Sequence, residues 1–155
     1  MKVHKDDLPA LAEALLSYAK ERQSEAAFVL ALSGPLGAGK TTLVQHIARG
    51  LGVETLTPSP TFVIMRGYPT KDAVFSRLVH IDAYRIESER ELAPLHLTEE
   101  FEKQGTLICV EWPEKLGSTL PKNALVLTLS HGGEEEREIT AAGDIGGYLR
   151  EALQK

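Results

Sequence analysis

The stretch Gly34-Pro35-Leu36-Gly37-Ala38-Gly39-Lys40-Thr41-Thr42 matches the phosphate-loop pattern G-x-x-x-x-G-K-[ST] at every fixed position. Glycines at 34, 37 and 39 let consecutive backbone N–H groups turn toward one anion with no Cβ in the way. Lys40 supplies a mobile positive charge for the outer phosphates, and Thr41 offers a hydroxyl to Mg²⁺. Gly34, Gly37, Ala38, Gly39, Lys40, Thr41 and Thr42 are therefore the expected contacts to a nucleoside triphosphate. Ordinary residue usage produces this pattern by accident in about 0.5% of chains of this length. The flanking sequence decides whether it is more than a Gly-rich turn.

Ala27-Phe28-Val29-Leu30-Ala31-Leu32, just before the loop, is a continuous apolar run of the kind a parallel strand buried on both faces requires. After the loop, Leu43, Val44, Ile47, Ala48 and Leu51 recur at helical spacing until Gly50 and Gly52 stop them. Strand, loop and helix follow in the order that aims a helix N-terminus at phosphates. Lys40 is expected to contact ligand and to support no part of the core.

The remaining numbers bound the architecture. A chain of 155 residues, 43% hydrophobic and 25% charged, fits one soluble domain over residues 1–155. A formal net charge of −5 argues against unaided tight binding of RNA or DNA, whose affinity is built from Lys and Arg neutralising phosphates. The single cysteine, Cys109, lies in the apolar run Leu107-Ile108-Cys109-Val110 and reads as a small buried hydrophobe. The first residues are charged and polar, and no apolar stretch reaches the length of a spanning helix. A cytoplasmic protein with no membrane association is expected.

Along the rest of the chain, Asp6 and Asp7 precede Leu8-Pro9, and Leu8, Leu11, Ala12, Leu15, Leu16 and Ala19 share one helical face. This predicts a capped amphipathic helix with Pro in its first turn. Thr57-Pro58-Ser59-Pro60-Thr61-Phe62 reads as a loop, either a plain connector or a hydroxyl-bearing segment that responds to a γ-phosphate. Residues 63–68 and 74–81 read as an antiparallel pair of strands, and 87–92 and 94–103 as short helices.

Two apolar runs end in an acid. Leu78-Val79-His80-Ile81-Asp82 places Asp82 as either a magnesium or water-positioning carboxylate or a turn-capping residue, with His80 filling a strand position. Thr106-Leu107-Ile108-Cys109-Val110-Glu111 is more continuously apolar, so Glu111 is the stronger candidate for holding Mg²⁺. Trp112 follows it, either as core or at the edge of the site. Leu125-Val126-Leu127-Thr128-Leu129 and Glu138-Ile139-Thr140-Ala141 flank a charged turn and predict a hairpin, and residues 144–153 predict a closing helix. The expected fold is α/β: a single P-loop NTPase domain with a mixed, mostly parallel central sheet, helices on both faces and a C-terminal β-hairpin.

Four segments stand in a recognisable order: GPLGAGKTT at 34–42, SPTF at 59–62, HIDAYR at 80–85 and VEWPEKL at 110–116. Together they closely resemble the TsaE family, formerly YjeE, of bacterial P-loop ATPases. The flanking helix, hairpin and last helix match in order, so the resemblance covers nearly the whole chain. It implies a Mg²⁺-dependent ATPase that supports TsaD and TsaB while they install threonylcarbamoyladenosine at adenosine 37 of tRNAs reading ANN codons. It also implies tRNA contact only through those partners, which suits the acidic net charge. By motif matching, Lys40, Asp82 and Glu111 would be the catalytic residues. Lys40 would bind the phosphates of ATP, Thr41 and Glu111 would hold Mg²⁺, Asp82 would position water or the metal shell, Thr61 would act as a switch-loop residue, and Trp112 would border the nucleotide. Two other classes share the phosphate loop. A small-molecule kinase usually carries an Arg-bearing lid, whereas Arg66, Arg77, Arg85 and Arg90 are scattered here. A GTPase switch protein needs a guanine-reading N-K-x-D-like segment, and none follows the last core strand.

Overall fold

A computed structural model describes residues 1–55 and 64–154. In chain order the elements are β1 (Lys2–His4), α1 (Leu8–Glu21), β2 (Phe28–Ser33), α2 (Lys40–Gly50), β3 (Met65–Pro69), β4 (Arg77–Asp82), α3 (Leu97–Phe101), β5 (Thr106–Glu111), β6 (Leu125–His131), β7 (Glu136–Ala141) and α4 (Ile145–Leu153). Short 3₁₀ segments cover Lys5–Asp7, Glu89–Leu95 and Pro113–Thr119.

The strands form one sheet in the order β1-β7-β6-β2-β5-β4-β3. β6, β2, β5 and β4 are mutually parallel, β7 and β3 are antiparallel to their neighbours, and β1 is antiparallel to β7. Five of the seven strands, β1, β2, β4, β5 and β6, therefore run the same way. This is the mixed, mostly parallel sheet expected from the apolar runs.

Alternation along the central strands splits the core between two faces. Leu30, Leu32, Leu107, Cys109 and Leu78 pack on one face with the buried residues of α1, α2 and α4. Val29, Ile108, Val110, Val79 and Ile81 pack on the other with Leu92, Leu97, Phe101 and Leu116. Helices cover both faces, although the second face is closed mainly by short turns. Cys109 is fully enclosed, and burial pushes its thiol far above the ordinary value.

Several local expectations shift. Neither Asp6 nor Asp7 caps α1 with its side chain; both lie in the 3₁₀ turn, where the Asp6 amide donates to His4 Nδ1 at 3.3 Å. β1 was too short to show a period, and it is held at the edge by β7. β4 starts at Arg77 rather than at residue 74, because Asp72 Oδ1 accepts the Val74 and Phe75 amides at 2.9 and 3.0 Å and ties them into the turn. The helix expected at 94–103 shortens to α3. Pro94 cannot donate to a helical ladder, and His96 turns left-handed at φ 51°. In the hairpin, β6 runs two residues further than foreseen, to His131, which pairs with Arg137.

The consequence for function is where the strand ends fall. The carboxyl ends of β2, β4, β5 and β6 lie along one edge of the sheet, the edge at which open α/β sheets bind ligands.

Candidate nucleotide-binding site

The loop between β2 and α2 owes its path to its glycines. At Gly34, φ is 132°, and a Cβ there would lie 1.9 Å from the Leu129 carbonyl oxygen, so only glycine lets the loop leave β2 against β6. Gly37 and Gly39 also take positive φ, and Gly39 forms the residue just before α2. The Ala38 amide donates to the Pro35 carbonyl at 3.2 Å, and His131 Nε2 sits 3.4 Å from the Leu36 carbonyl, which holds the tip of the loop against β6.

Below the loop lies a cleft of about 870 Å³. Gly37, Gly39, Lys40, Thr41 and Thr42 line it on one side, and Asp82, Glu111 and Trp112 on the other. Gly34 and Ala38 do not reach its wall: Gly34 packs on β6, and the Ala38 side chain is enclosed in the core. Thr61 lies outside the described residues. The remaining sequence-predicted site residues converge on one cleft at the carboxyl edge of the sheet.

Glu111 is the centre of the polar network. Thr41 Oγ1 donates to its Oε1 at 2.7 Å, and His80 Nε2 lies 2.8 Å from its Oε2. Glu111 and His80 are each only 2% exposed at the side chain. A buried carboxylate is tolerated only when its oxygens are engaged, and here both are. Asp82 is the register partner of Glu111 on the neighbouring strand, and its Oδ1 accepts the Tyr84 amide at 3.1 Å. Asp82 thus makes the turn that a strand-end Asp often makes, while its carboxylate also lines the cleft.

Lys40 is 5% exposed. Its ammonium donates to the carbonyls of Gly34 and Pro35 at 2.7 and 2.9 Å and sits 4.2 Å from the centre of the Trp112 ring. Burial lowers its pKa from the ordinary lysine value, while Glu111, Asp82 and Glu114 pull it upward. The expectation that Lys40 supports nothing structural is corrected: it bridges the loop to the indole.

Trp112 occupies the left-handed region at φ 59° and ψ 53°, an uncommon conformation for a bulky residue before proline. Its amide donates to the Leu32 carbonyl at 3.2 Å, and its ring packs on Tyr84 with centroids 5.0 Å apart. The strained turn carries the chain out of β5 and lays the indole at the cleft wall rather than in the sheet core.

His80 is the residue that sequence reasoning missed. The alternation in Leu78-Val79-His80-Ile81-Asp82 contained the signal, since His80 shares a face with Asp82 and the neighbouring strand places Glu111 on that face too.

The oxygen donors suit magnesium. A Mg²⁺ ion takes hard oxygen ligands and is commonly held by one or two carboxylates together with substrate phosphates. The Thr41 hydroxyl and the Glu111 carboxylate, already 2.7 Å apart, meet that requirement, with Asp82 beside them. Among the described residues no group of three or more His, Cys, Asp or Glu side chains is arranged to hold a metal by itself, so phosphate oxygens would have to complete the shell.

This arrangement has relatives. A family model described as Threonylcarbamoyl adenosine biosynthesis protein TsaE matches residues 3–139. The chain belongs to the TsaE family. It is 39% identical over 155 residues to the tRNA threonylcarbamoyladenosine biosynthesis protein TsaE of Bacillus subtilis (strain 168), covering 99% of this chain and 91% of that one. It is 34% identical over 122 residues to the TsaE protein of Treponema pallidum (strain Nichols), covering 78% of this chain and 86% of that one. The crystal structure of Bacillus subtilis YdiB superposes with a TM-score of 0.69 at 33% identity, covering 99% of this chain and 93% of the other. The family assignment and the shared fold thus extend over nearly the whole TsaE-family chain. Among the described residues no helix is long and apolar enough to cross a membrane.

Proposed function

We propose that this chain is a Mg²⁺-dependent ATPase that works in the cytoplasm in tRNA threonylcarbamoyladenosine biosynthesis, serving TsaD and TsaB homologues that modify adenosine 37 of ANN-decoding tRNAs. The names of the relatives carry the pathway. The observation that carries the chemistry is the Thr41–Glu111 hydrogen bond, which joins the phosphate loop to the strand-end acid.

Lys40 exchanges its carbonyl partners for the outer phosphates of ATP, and the loop amides and the N-terminus of α2 receive the rest of the phosphate chain. Thr41 and Glu111 would hold Mg²⁺, which would supply positive charge to the phosphates. His80 holds the second oxygen of Glu111 so that the first stays turned toward Thr41. Asp82, anchored by the Tyr84 amide, faces the same space and orients the attacking water.

Among the described residues that line the cleft, Leu36 at the loop tip and Tyr84 are 70% and 49% exposed, so these two do not cover it against water. Closure falls to the partner proteins, and hydrolysis by the isolated chain is slow. The test is ATP turnover with and without Mg²⁺, alone and with the TsaD and TsaB homologues. Slow Mg²⁺-dependent turnover that rises with both partners is expected. Absence of turnover in every mixture, or a fast rate indifferent to the partners, contradicts the reading.

A further inference from the structure

One wall of the cleft plays no part in the chemistry above. It is built from the Lys5–Asp7 turn, from Leu8 at the start of α1 and from Arg137 near the start of β7. In the sheet order, β7 lies on the opposite side of the phosphate-loop strand from β5 and β4, which carry Glu111 and Asp82. This wall therefore lies across the phosphate-loop strand from the two strand-end acids.

Arg137 is the distinctive group on it. Its Nη1 donates to the Glu136 carbonyl at 2.8 Å, which fixes the plane of the guanidinium. Its Nε is enclosed and has no hydrogen-bond partner among the described residues. That Nε lies beside the phosphate loop: a Cβ built on Gly39 would lie 3.9 Å from it. Nearby acids pair with other cations, Glu136 with Lys2 at 3.4 Å and Glu135 with Lys5, and Arg137 acts on Glu135 only as a further charge that lowers its pKa. An enclosed N–H on a permanently charged group is costly to leave unpaired, and an arginine fork matches phosphate oxygens better than any other side chain.

We propose that Arg137 is a nucleotide-binding residue, a second cation on the phosphate chain that reaches it from the β7 side while Lys40 reaches it from the β5 side. The inference rests on the nucleotide-binding reading above. Because the wall lies away from Glu111 and Asp82, Arg137 contacts the phosphates common to a di- and a triphosphate. Its removal then weakens both ligands alike, unlike loss of a γ-phosphate contact.

The test is calorimetric titration of the full chain with MgADP and with MgATP for wild type, Arg137→Met and Arg137→Lys, with thermal melting by circular dichroism as the folding control. Arg137→Met, which keeps the apolar stem, raises both Kd values about tenfold and by equal factors, the scale of one charge-assisted hydrogen bond. Arg137→Lys, which keeps the charge but loses the fork, falls between. A folded Arg137→Met that binds both nucleotides within twofold of wild type overturns the inference and leaves the nucleotide site standing. A loss confined to MgATP overturns the placement. Wild type that binds neither ligand overturns the nucleotide-binding reading and this inference with it. Should Arg137→Met fail to fold, modification of wild-type Arg137 by an arginine-specific dicarbonyl, followed by peptide mass spectrometry, decides the matter. Saturating MgADP slows the modification if Arg137 contacts the nucleotide, and an unchanged rate overturns the inference.

Discussion

His80 Nε2 lies 2.8 Å from Glu111 Oε2, a buried contact between adjacent parallel strands. The contact leaves the other Glu111 oxygen to Thr41, so one histidine sets which way the strand-end acid faces. His80→Ala is expected to weaken the apparent Mg²⁺ affinity about 10- to 100-fold, as loss of a residue orienting a metal ligand does, with ADP affinity in the absence of metal little changed. His80→Gln, which can still bond the carboxylate, recovers part of the loss. Titrating turnover and calorimetric binding against Mg²⁺ checks this, and a wild-type Mg²⁺ dependence in His80→Ala would remove His80 from the account.

Lys40→Ala abolishes ATP turnover and also costs stability. Its ammonium makes two hydrogen bonds to loop carbonyls and caps the Trp112 ring, so an unfolding free energy lower by about 1–3 kcal/mol is expected. Urea denaturation measures the stability effect, and undiminished turnover would sink the nucleotide assignment.

Trp112 is the only tryptophan and therefore an unambiguous reporter. Lys40 sits 4.2 Å above its ring, so drawing the ammonium onto phosphate changes the field and hydration at the indole. MgADP should shift the intrinsic emission saturably, and Lys40→Ala should greatly reduce the response. A nucleoside without phosphates, matched in absorbance, controls for inner-filter loss. Unchanged emission with binding confirmed by calorimetry would show that Lys40 keeps its place over the ring.

The fold has an acid limb set away from the site. For both Asp72 and Glu100, burial raises the pKa but is outweighed. At Asp72 the Lys20 hydrogen bond and the Phe75 and Val74 amides prevail, and at Glu100 the hydrogen bonds from Lys103 and Arg77 do, so both carboxyls end below their ordinary values of 3.8 and 4.5. The unfolded chain then takes up protons first as pH falls. The stability these groups contribute is complete above the ordinary carboxylate range and is lost as pH drops through it toward the folded values. Glu100→Gln should lower the melting temperature at neutral pH and flatten its decline between about pH 5 and 3. A parallel displacement of the whole pH profile would contradict this assignment.

Much of this was legible in the sequence because its signals are local. The phosphate loop and the two apolar runs ending in Asp82 and Glu111 each declare themselves within ten residues or fewer, the hairpin by two short apolar runs about a charged turn, and their order points to a mixed sheet with the site at its carboxyl edge. What stayed hidden depends on pairing between distant segments. His80 becomes a partner of Glu111 only through the β4–β5 register, Lys40 becomes structural only through the left-handed turn at Trp112, and Arg137 reaches the cleft only because β7 folds back beside β6. β1 has three residues, too few for any period to show, and is fixed entirely by its neighbour.

The central claim is that Glu111, held by Thr41 and His80, is the acid through which magnesium serves hydrolysis. Its most direct test is the turnover of Glu111→Gln at saturating MgATP in the presence of the TsaD and TsaB homologues, with nucleotide binding verified in the same preparation. The account predicts a fall of about 100-fold or more, equivalent to about 2.7 kcal/mol of barrier, with nucleotide still bound. Wild-type turnover in Glu111→Gln, with Asp82→Asn inactive instead, would show that the two strand-end acids have their roles reversed and would contradict it.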